Sequence, residues 1–285
     1  LNITLIDGKD EFLIELFHQF IAKIFPRANF RRWHRAGFWD EHYKAFSLID
    51  GNRIVSNICC MSMKVYNNRK IINGVQIGAV GTLPEYRNKG LSREVLKYVK
   101  EFYKENTEIF FLYANDRVYD FYKKYHFKHV YEKKFFADIS ELNCAGGFRK
   151  LNIENANDYK ILLEILKNSK PVTKIFGAEN YWFLTMWHVF NTYMNDLYYF
   201  DGLETVAVQR QVADTLHVYE VFTSNQINLD DFALRGSAEK VRVYFPPDQI
   251  SYKVSEIGEE DTGLFLLGDF KLDNHEFCFP ITAYT

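Results

Sequence analysis

The chain has 285 residues, 47% of them hydrophobic and 25% charged, with a formal net charge of -2 and a pI of about 6.5. That length fits one large domain or two small ones, and the composition excludes wholesale disorder. The near-neutral balance argues against a general nucleic-acid binder, which carries a basic stripe. No apolar run approaches the roughly 20 residues a membrane helix needs. The cysteines Cys59, Cys60, Cys144 and Cys278 form no CxxC pair, which disfavours a metal site and is met most simply by reduced thiols in a cytosol. The first residue is Leu1 rather than Met, so a few residues are expected to precede it; no targeting segment is visible.

Residues 2–6 read as a short strand, and Asp7 as a helix cap before residues 10–25, where Phe12, Leu16, Phe20 and Ile24 give an apolar face. Residues 26–43 are irregular, basic and aromatic. Strands over 44–50 and 53–66 flank Gly51-Asn52, a hairpin signal. A further strand over 70–84 stops at Pro84. Residues 91–105 form an amphipathic helix with Leu91, Val95, Val99 and Phe102 on one face. Strand, helix and strand follow at 108–114, 116–125 and 126–139. The charged runs "YEKK" and "EIGEED" read as solvated surface.

Gly146-Gly147 breaks the pattern and places a domain boundary at 143/144. The second half starts over, with a strand at 148–153 and a helix at 155–169, in the element order of residues 2–25. Strands follow at 196–202, 204–212, 215–222, 240–246 and 262–268, and the tail 276–285 is also strand-like. Two domains of similar order result: 1–143 and 144–285.

The stretch "GTLPEYRNKGLS", residues 81–92, joins a strand to the start of the 91–105 helix. Free N–H groups and the helix dipole make such a junction an anion site. Gly90 allows close approach, and Arg87 and Lys89 add charge. Taken alone, the loop reads equally well as a basic surface turn. The run "AVGTLPEYRNKGLSREVLKYV" resembles motif A of the GNAT family, the GCN5-related N-acetyltransferases, whose core R/Q-x-x-G-x-G/A aligns with Arg87 to Ser92. Ser92 departs from the final small residue. Some 25 residues on, "NDRVYDFYKKYHF" matches the family's second motif at Asn115, Phe121, Tyr122, Lys124 and Phe127, with Val118 for Ala and His126 for Gly. The resemblance covers roughly residues 1–140.

The resemblance implies an α/β (α+β) fold, a mixed, mostly antiparallel twisted sheet flanked by helices, in each of two GNAT-like domains. It implies that Val80, Gly81 and Thr82 hold the pantetheine arm and thioester of acetyl-CoA on a strand that splays at a bulge. Backbone amides of Asn88, Lys89, Gly90, Leu91, Ser92 and Arg93 hold the pyrophosphate, and Asn115 touches the cofactor. Tyr122 matches the acid that protonates the leaving thiolate; outside the motif it reads as a core aromatic. Asn115, Val118 and Tyr122 are spaced to share one helix face. His34, Asp40, Glu41 and His42 lie where the family builds its acceptor pocket, though each alone reads as solvated loop.

The second half has no R-x-x-G-x-G, and its loop after 215–222 carries Asp230 and Asp231 with no nearby cation. It resembles the degenerate second domain of tandem-GNAT proteins such as the Eis-type acetyltransferases, and the chain is too short for their additional sterol-carrier-like domain. That resemblance brings the last residue into the first domain, where the Thr285 carboxylate serves as base; a terminal edge strand is the other reading. The resulting expectation is a cytoplasmic, metal-free, acetyl-CoA-dependent N-acetyltransferase. It acts on a small-molecule or peptide amine without nucleic-acid or membrane partners, and homo-oligomer formation is left open. The alternatives are a non-catalytic coenzyme-A-binding module and an acyltransferase using a longer acyl or aminoacyl donor.

Overall fold

A computed structural model of the chain describes residues 2–142, 147–234, 236–272 and 275–285. The first half runs β1 (Ile3–Ile6), α1 (Glu11–Ile24), α2 (Arg31–Arg35), β2 (Tyr43–Asp50), β3 (Arg53–Asn67), β4 (Lys70–Thr82), α3 (Leu91–Tyr103), β5 (Ile109–Tyr113), α4 (Tyr119–Lys123) and β6 (Lys128–Ala137). The second runs β7 (Arg149–Lys150), α5 (Ala156–Asn168), β8 (Phe176–Ala178), α6 (Trp182–His188), β9 (Leu197–Phe200), β10 (Thr205–Val212), β11 (Thr215–Phe222), β12 (Lys240–Val243) and β13 (Val254–Gly268). The expected boundary at 143/144 falls outside the described residues.

One mixed, mostly antiparallel sheet carries both halves, in the order β1-β2-β3-β4-β5-β13-β6-β12-β11-β10-β9-β7, with β8 beside β3. The two ends repeat. An antiparallel meander β2-β3-β4 closes on the parallel strand β5, and the meander β9-β10-β11 closes on the parallel strand β12. The halves then exchange strands. β13, from the second half, pairs with β5 of the first, and β6, from the first, pairs with β12 of the second. β6 and β13 pair with each other at the centre. This exchange makes the halves one body, since neither sheet is complete without a strand of the other.

Local chemistry explains most elements. Asp10, not Asp7, caps α1, its carboxylate accepting from the Phe12 and Leu13 amides. Ile14, Phe17 and Ile21 lie buried on α1 and Phe12 is exposed, because an i+4 series drifts off the core face of a 3.6-residue helix. On α3, Phe102 lies at the edge of the apolar face and is exposed, while Leu96 and Tyr103 are buried. Residues 116–125 are not one helix. A 3-10 turn over Asp116–Val118 precedes a short α4, with neither start capped by a side chain. Val118 is therefore exposed while Tyr122 is buried, and the expected common face with Asn115 does not form. α6, extended by a π turn over Val189–Tyr193, had no counterpart in the sequence reading.

Two corrections bear on function. Glu132, inside "YEKK", is fully buried, because exchange turns β6 into a central strand covered by β13 and β12. The tail 276–285 is not a strand but an extended segment with a 3-10 turn at Ile281–Ala283, packed against α6 and β11.

Candidate active site

β4 and β5 pair only from Gly74↔Ile109 to Ile77↔Leu112. Immediately beyond, β4 bulges: Cys59 faces Gly78 and Asn57 faces Gly81, so Ala79 and Val80 together oppose the single residue Ile58. Ala79 adopts φ 44, and the buried Asn57 amide donates to its carbonyl at 3.1 Å. The strands thus splay after Ile77 and Leu112, and no strand pairs β4 on that side from Gly78 to Thr82. Val80 and Thr82 are half-buried. Gly81 is buried, and a Cβ there would lie 2.8 Å from Ile24 Cγ2 of α1.

Past the splay, β4 leads through a 3-10 turn, Pro84–Tyr86, to α3. Asn88 and Gly90 both take left-handed conformations, φ 61 and 78, which curl the loop tightly. Gly90 is the N-cap of α3, and no side chain caps that end. The first amides of the helix, from Leu91, Ser92 and Arg93, therefore stand open at the positive end of its dipole. Arg87 braces the loop, its Nε donating to the Thr82 carbonyl at 3.2 Å, and Lys89 lies 4.7 Å over the Tyr86 ring. Hydroxyls of Ser56, Thr82 and Ser92 are linked at 2.9 and 2.7 Å, so Ser92 ties the helix start to β4.

Tyr122 is 4% exposed, and its ring packs edge-on against Phe121 and Phe127. Burial alone pushes its hydroxyl far above the usual range, and that hydroxyl makes no hydrogen bond to the described protein. Asn115 is exposed at the end of β5. His126, in the motif's glycine position, has φ 69 and supplies the left-handed residue that ends α4.

Thr285 reaches this site from the second half. A Cβ placed on Gly78 would lie 2.9 Å from the Thr285 carbonyl oxygen, so the last residue rests on β4 one step before the bulge. Tyr284 stacks on Tyr113 at 3.9 Å, and His188 Nε2 donates to the Tyr284 carbonyl at 2.9 Å. Close approach at Gly78 had no signal in the sequence. The lone acids in "VYEKK" and "HVYEVF", Glu132 and Glu220, could have been flagged as charges within apolar strand patterns.

The polar residues of 34–42 do not converge. His34 Nε2 lies 3.1 Å from the Gly8 carbonyl, Asp40 caps the His42 amide, and the His42 ring stacks on Phe183. His34 instead lines an open polar cavity of about 520 Å³ between α1 and α2, with Glu15, His18, Arg31 and Arg35. None of the expected cofactor residues lines it. Burial, then the nearby Arg31 charge, lowers His18 to about 4. In the second half, the turn at the end of β11 is closed by its own carboxylate, Asp231 accepting from the Asn228 amide, where α3 leaves amides open. Among the described residues no group of three His, Cys, Asp or Glu side chains is placed to hold a metal, and no helix is long and apolar enough to cross a membrane.

Residues 14–130 match the family model of an acetyltransferase (GNAT) domain. No curated protein matches the chain. Among solved structures, a probable N-acyltransferase from Enterococcus faecalis is similar at TM-score 0.60 and 13% identity, over 93% of this chain and 72% of that one. A GCN5-related N-acetyltransferase from Kribbella flavida is similar at TM-score 0.55 and 15% identity, over 93% and 70%. Eis1 from Mycobacterium abscessus is similar at 0.56 and 9%, over 93% and 73%. These identities speak to fold, and the shared fold extends across both halves. Residues 14–130, with motif, splay and open helix start in register, are thus similar to a GNAT acetyltransferase domain.

Proposed function

We propose that the chain is an acetyl-CoA-dependent N-acetyltransferase, with its catalytic site in residues 1–143 and a second half, residues 144–285, that binds no cofactor of its own. The observation that carries the reading is the splay of β4 from β5 at the Ala79–Val80 bulge, directly continuous with the uncapped start of α3. Val80, Gly81 and Thr82, which no strand pairs on the β5 side, suit an extended amide-bearing arm, and the amides from Asn88 to Arg93 suit a pyrophosphate. Asn115 stands at the end of β5, beside that channel.

In this reading a primary amine attacks the thioester carbonyl, backbone N–H groups at the bulge stabilise the oxyanion, and Tyr122 protonates the departing thiolate. Burial keeps the Tyr122 phenol protonated, as a proton donor must be, and makes it a weaker acid than a phenol in water. By the Eis-type resemblance, the Thr285 carboxylate accepts the amine's proton. The relatives' names supply N-acyl transfer as the reaction class, and a cytoplasmic site of action agrees with its acetyl-CoA supply.

The test is mass spectrometry of products from an amine library with acetyl-CoA, beside calorimetry of acetyl-CoA binding. Expected are micromolar-range binding and a mass gain of one acetyl group on at least one amine. Binding without turnover would replace the enzyme by a coenzyme-A-binding module, and turnover only with longer thioesters would move the donor class.

A further inference from the structure

The segment from Phe277 to Thr285 crosses from the centre of the sheet to the splay without joining any strand ladder. Its entry is fixed by the Lys133 amide, which donates to the Phe277 carbonyl at 2.8 Å. Beyond that point, among the described residues, its hydrogen bonds to the rest of the protein run through side chains. The Phe279 amide donates to Glu132 Oε1 at 2.6 Å, and the Tyr284 hydroxyl to Oε2 at 3.5 Å. Glu132 also accepts from the hydroxyls of Thr262 and of Tyr113, the latter at 3.3 Å. Glu220 Oε2 accepts from the Thr282 hydroxyl at 3.0 Å, and Thr185 lies 3.3 Å from the same hydroxyl.

Glu132 and Glu220 are both 0% exposed. Burying a carboxyl is costly, and an apolar residue of similar size is the more stable choice at most such positions. Both acids face the same segment, one from each half: Glu132 from β6 and Glu220 from β11. Tyr113, which stacks on Tyr284 and bonds Glu132, closes the β5 side of the splay.

We propose that Glu132 and Glu220 are positioning residues for acyl transfer: they pin segment 277–285 to the two halves of the sheet and so set where Thr285 stands against Gly78. The effect on turnover rests on the acyl-transfer reading above; the effect on the segment does not.

The experiment compares Glu132→Ala, Glu132→Gln, Glu220→Ala, Glu220→Gln and Thr282→Val by amide hydrogen exchange, acetyl-CoA calorimetry and steady-state kinetics. The alanine variants should speed exchange across 279–285 by about tenfold or more, with exchange in β3 and β4 unchanged. They should lower kcat by about tenfold or more and leave acetyl-CoA affinity within about twofold. The glutamine variants keep an acceptor oxygen and should restore most of both. Thr282→Val removes only the hydroxyl that Glu220 holds and should loosen the segment in a folded protein even if an alanine variant does not fold. Unchanged exchange across 279–285 in Thr282→Val and the folded alanine variants, or a loosened segment with full turnover, overturns the proposal. If the wild-type chain transfers no acyl group, the exchange data still decide the pinning, and only the function is withdrawn.

Discussion

Gly78 and Thr285 are in contact so close that a side chain on Gly78 would be excluded: a methyl there would meet Thr285 Oγ1 first and sit 2.9 Å from the Thr285 carbonyl oxygen and 3.0 Å from its carbonyl carbon. Gly78→Ala should therefore keep the sheet and push Thr285 off β4 by a fraction of an ångström to about an ångström. Displacements of that size at a reacting centre cost up to about 10²-fold. The expected result is a fall in kcat of about tenfold or more with acetyl-CoA affinity within a few-fold. Wild-type turnover in a folded Gly78→Ala protein would detach Thr285 from the chemistry.

Gly90 combines φ 78 with the open start of α3. Gly90→Glu adds bulk and negative charge where the amides are read as holding a pyrophosphate, and calorimetry should find acetyl-CoA binding abolished. Gly90→Asn tolerates the left-handed conformation and separates backbone strain from charge; it should keep most of the affinity. Equal affinity in wild type and Gly90→Glu would move the cofactor elsewhere.

Tyr122→Phe removes a hydroxyl that bonds to nothing in the described protein, so melting temperature should stay nearly unchanged. Turnover should drop by on the order of 10²-fold, with little change in acetyl-CoA affinity. Full activity with chemistry rate-limiting would make Tyr122 a packing residue.

The parts legible in the sequence were those set locally. The hairpin at Gly51-Asn52, the strand before Pro84 and the amphipathic α3 follow from turn chemistry and periodicity. The loop from Arg87 to Ser92 was legible because two motifs fixed its context. What stayed hidden depends on distant pairing. Nothing near Glu132 announces that β6 will be central, since its covering strands lie more than a hundred residues away in sequence, and a charged run then reads as surface. Asn115 and Tyr122 read as one helix face in the sequence because spacing cannot reveal an uncapped 3-10 start. The tail has the pattern of a strand, but its apolar residues answer to α6 and to aromatic neighbours such as Phe111 and Phe176.

His126 occupies a left-handed position, φ 69, where the motif carries glycine. A non-glycine residue there costs roughly 1–2 kcal/mol, partly offset by the greater entropy glycine loses on folding. His126→Gly should raise stability in urea unfolding by about 0.5–1 kcal/mol with activity unchanged. A loss of stability would mean that the His126 side chain makes a contribution its exposed position does not explain.

The buried ionisable groups set a pH dependence with a definite sign. Burial raises Glu132 to about 7 and Glu220 to about 8, so the folded chain holds protons there that the unfolded chain has released above its ordinary glutamate value of 4.5. By linkage these two groups make stability fall as pH rises from about 4.5 through 7 and 8. Burial lowers His18 and His188 to about 4, so the unfolded chain holds their protons between about 4 and 6.5, and stability rises with pH across that interval. His217 is shifted in the same direction by burial and by Arg242. The opposing trends overlap below pH 6.5. Above it the unfolded histidines shed their remaining protons and their contribution fades, so the two glutamates dominate. Cys278 and Tyr284 are raised by burial well beyond their ordinary values and do not titrate in the folded state in this window. Unfolding free energy should therefore drop by about 1–3 kcal/mol between pH 6.5 and pH 8. Glu220→Gln, which cannot ionise, should flatten most of that slope, and Glu132→Gln a smaller part. A wild-type chain equally stable at both pH values, or a Glu220→Gln variant with the full slope, would show that these carboxyls ionise without penalty inside the fold.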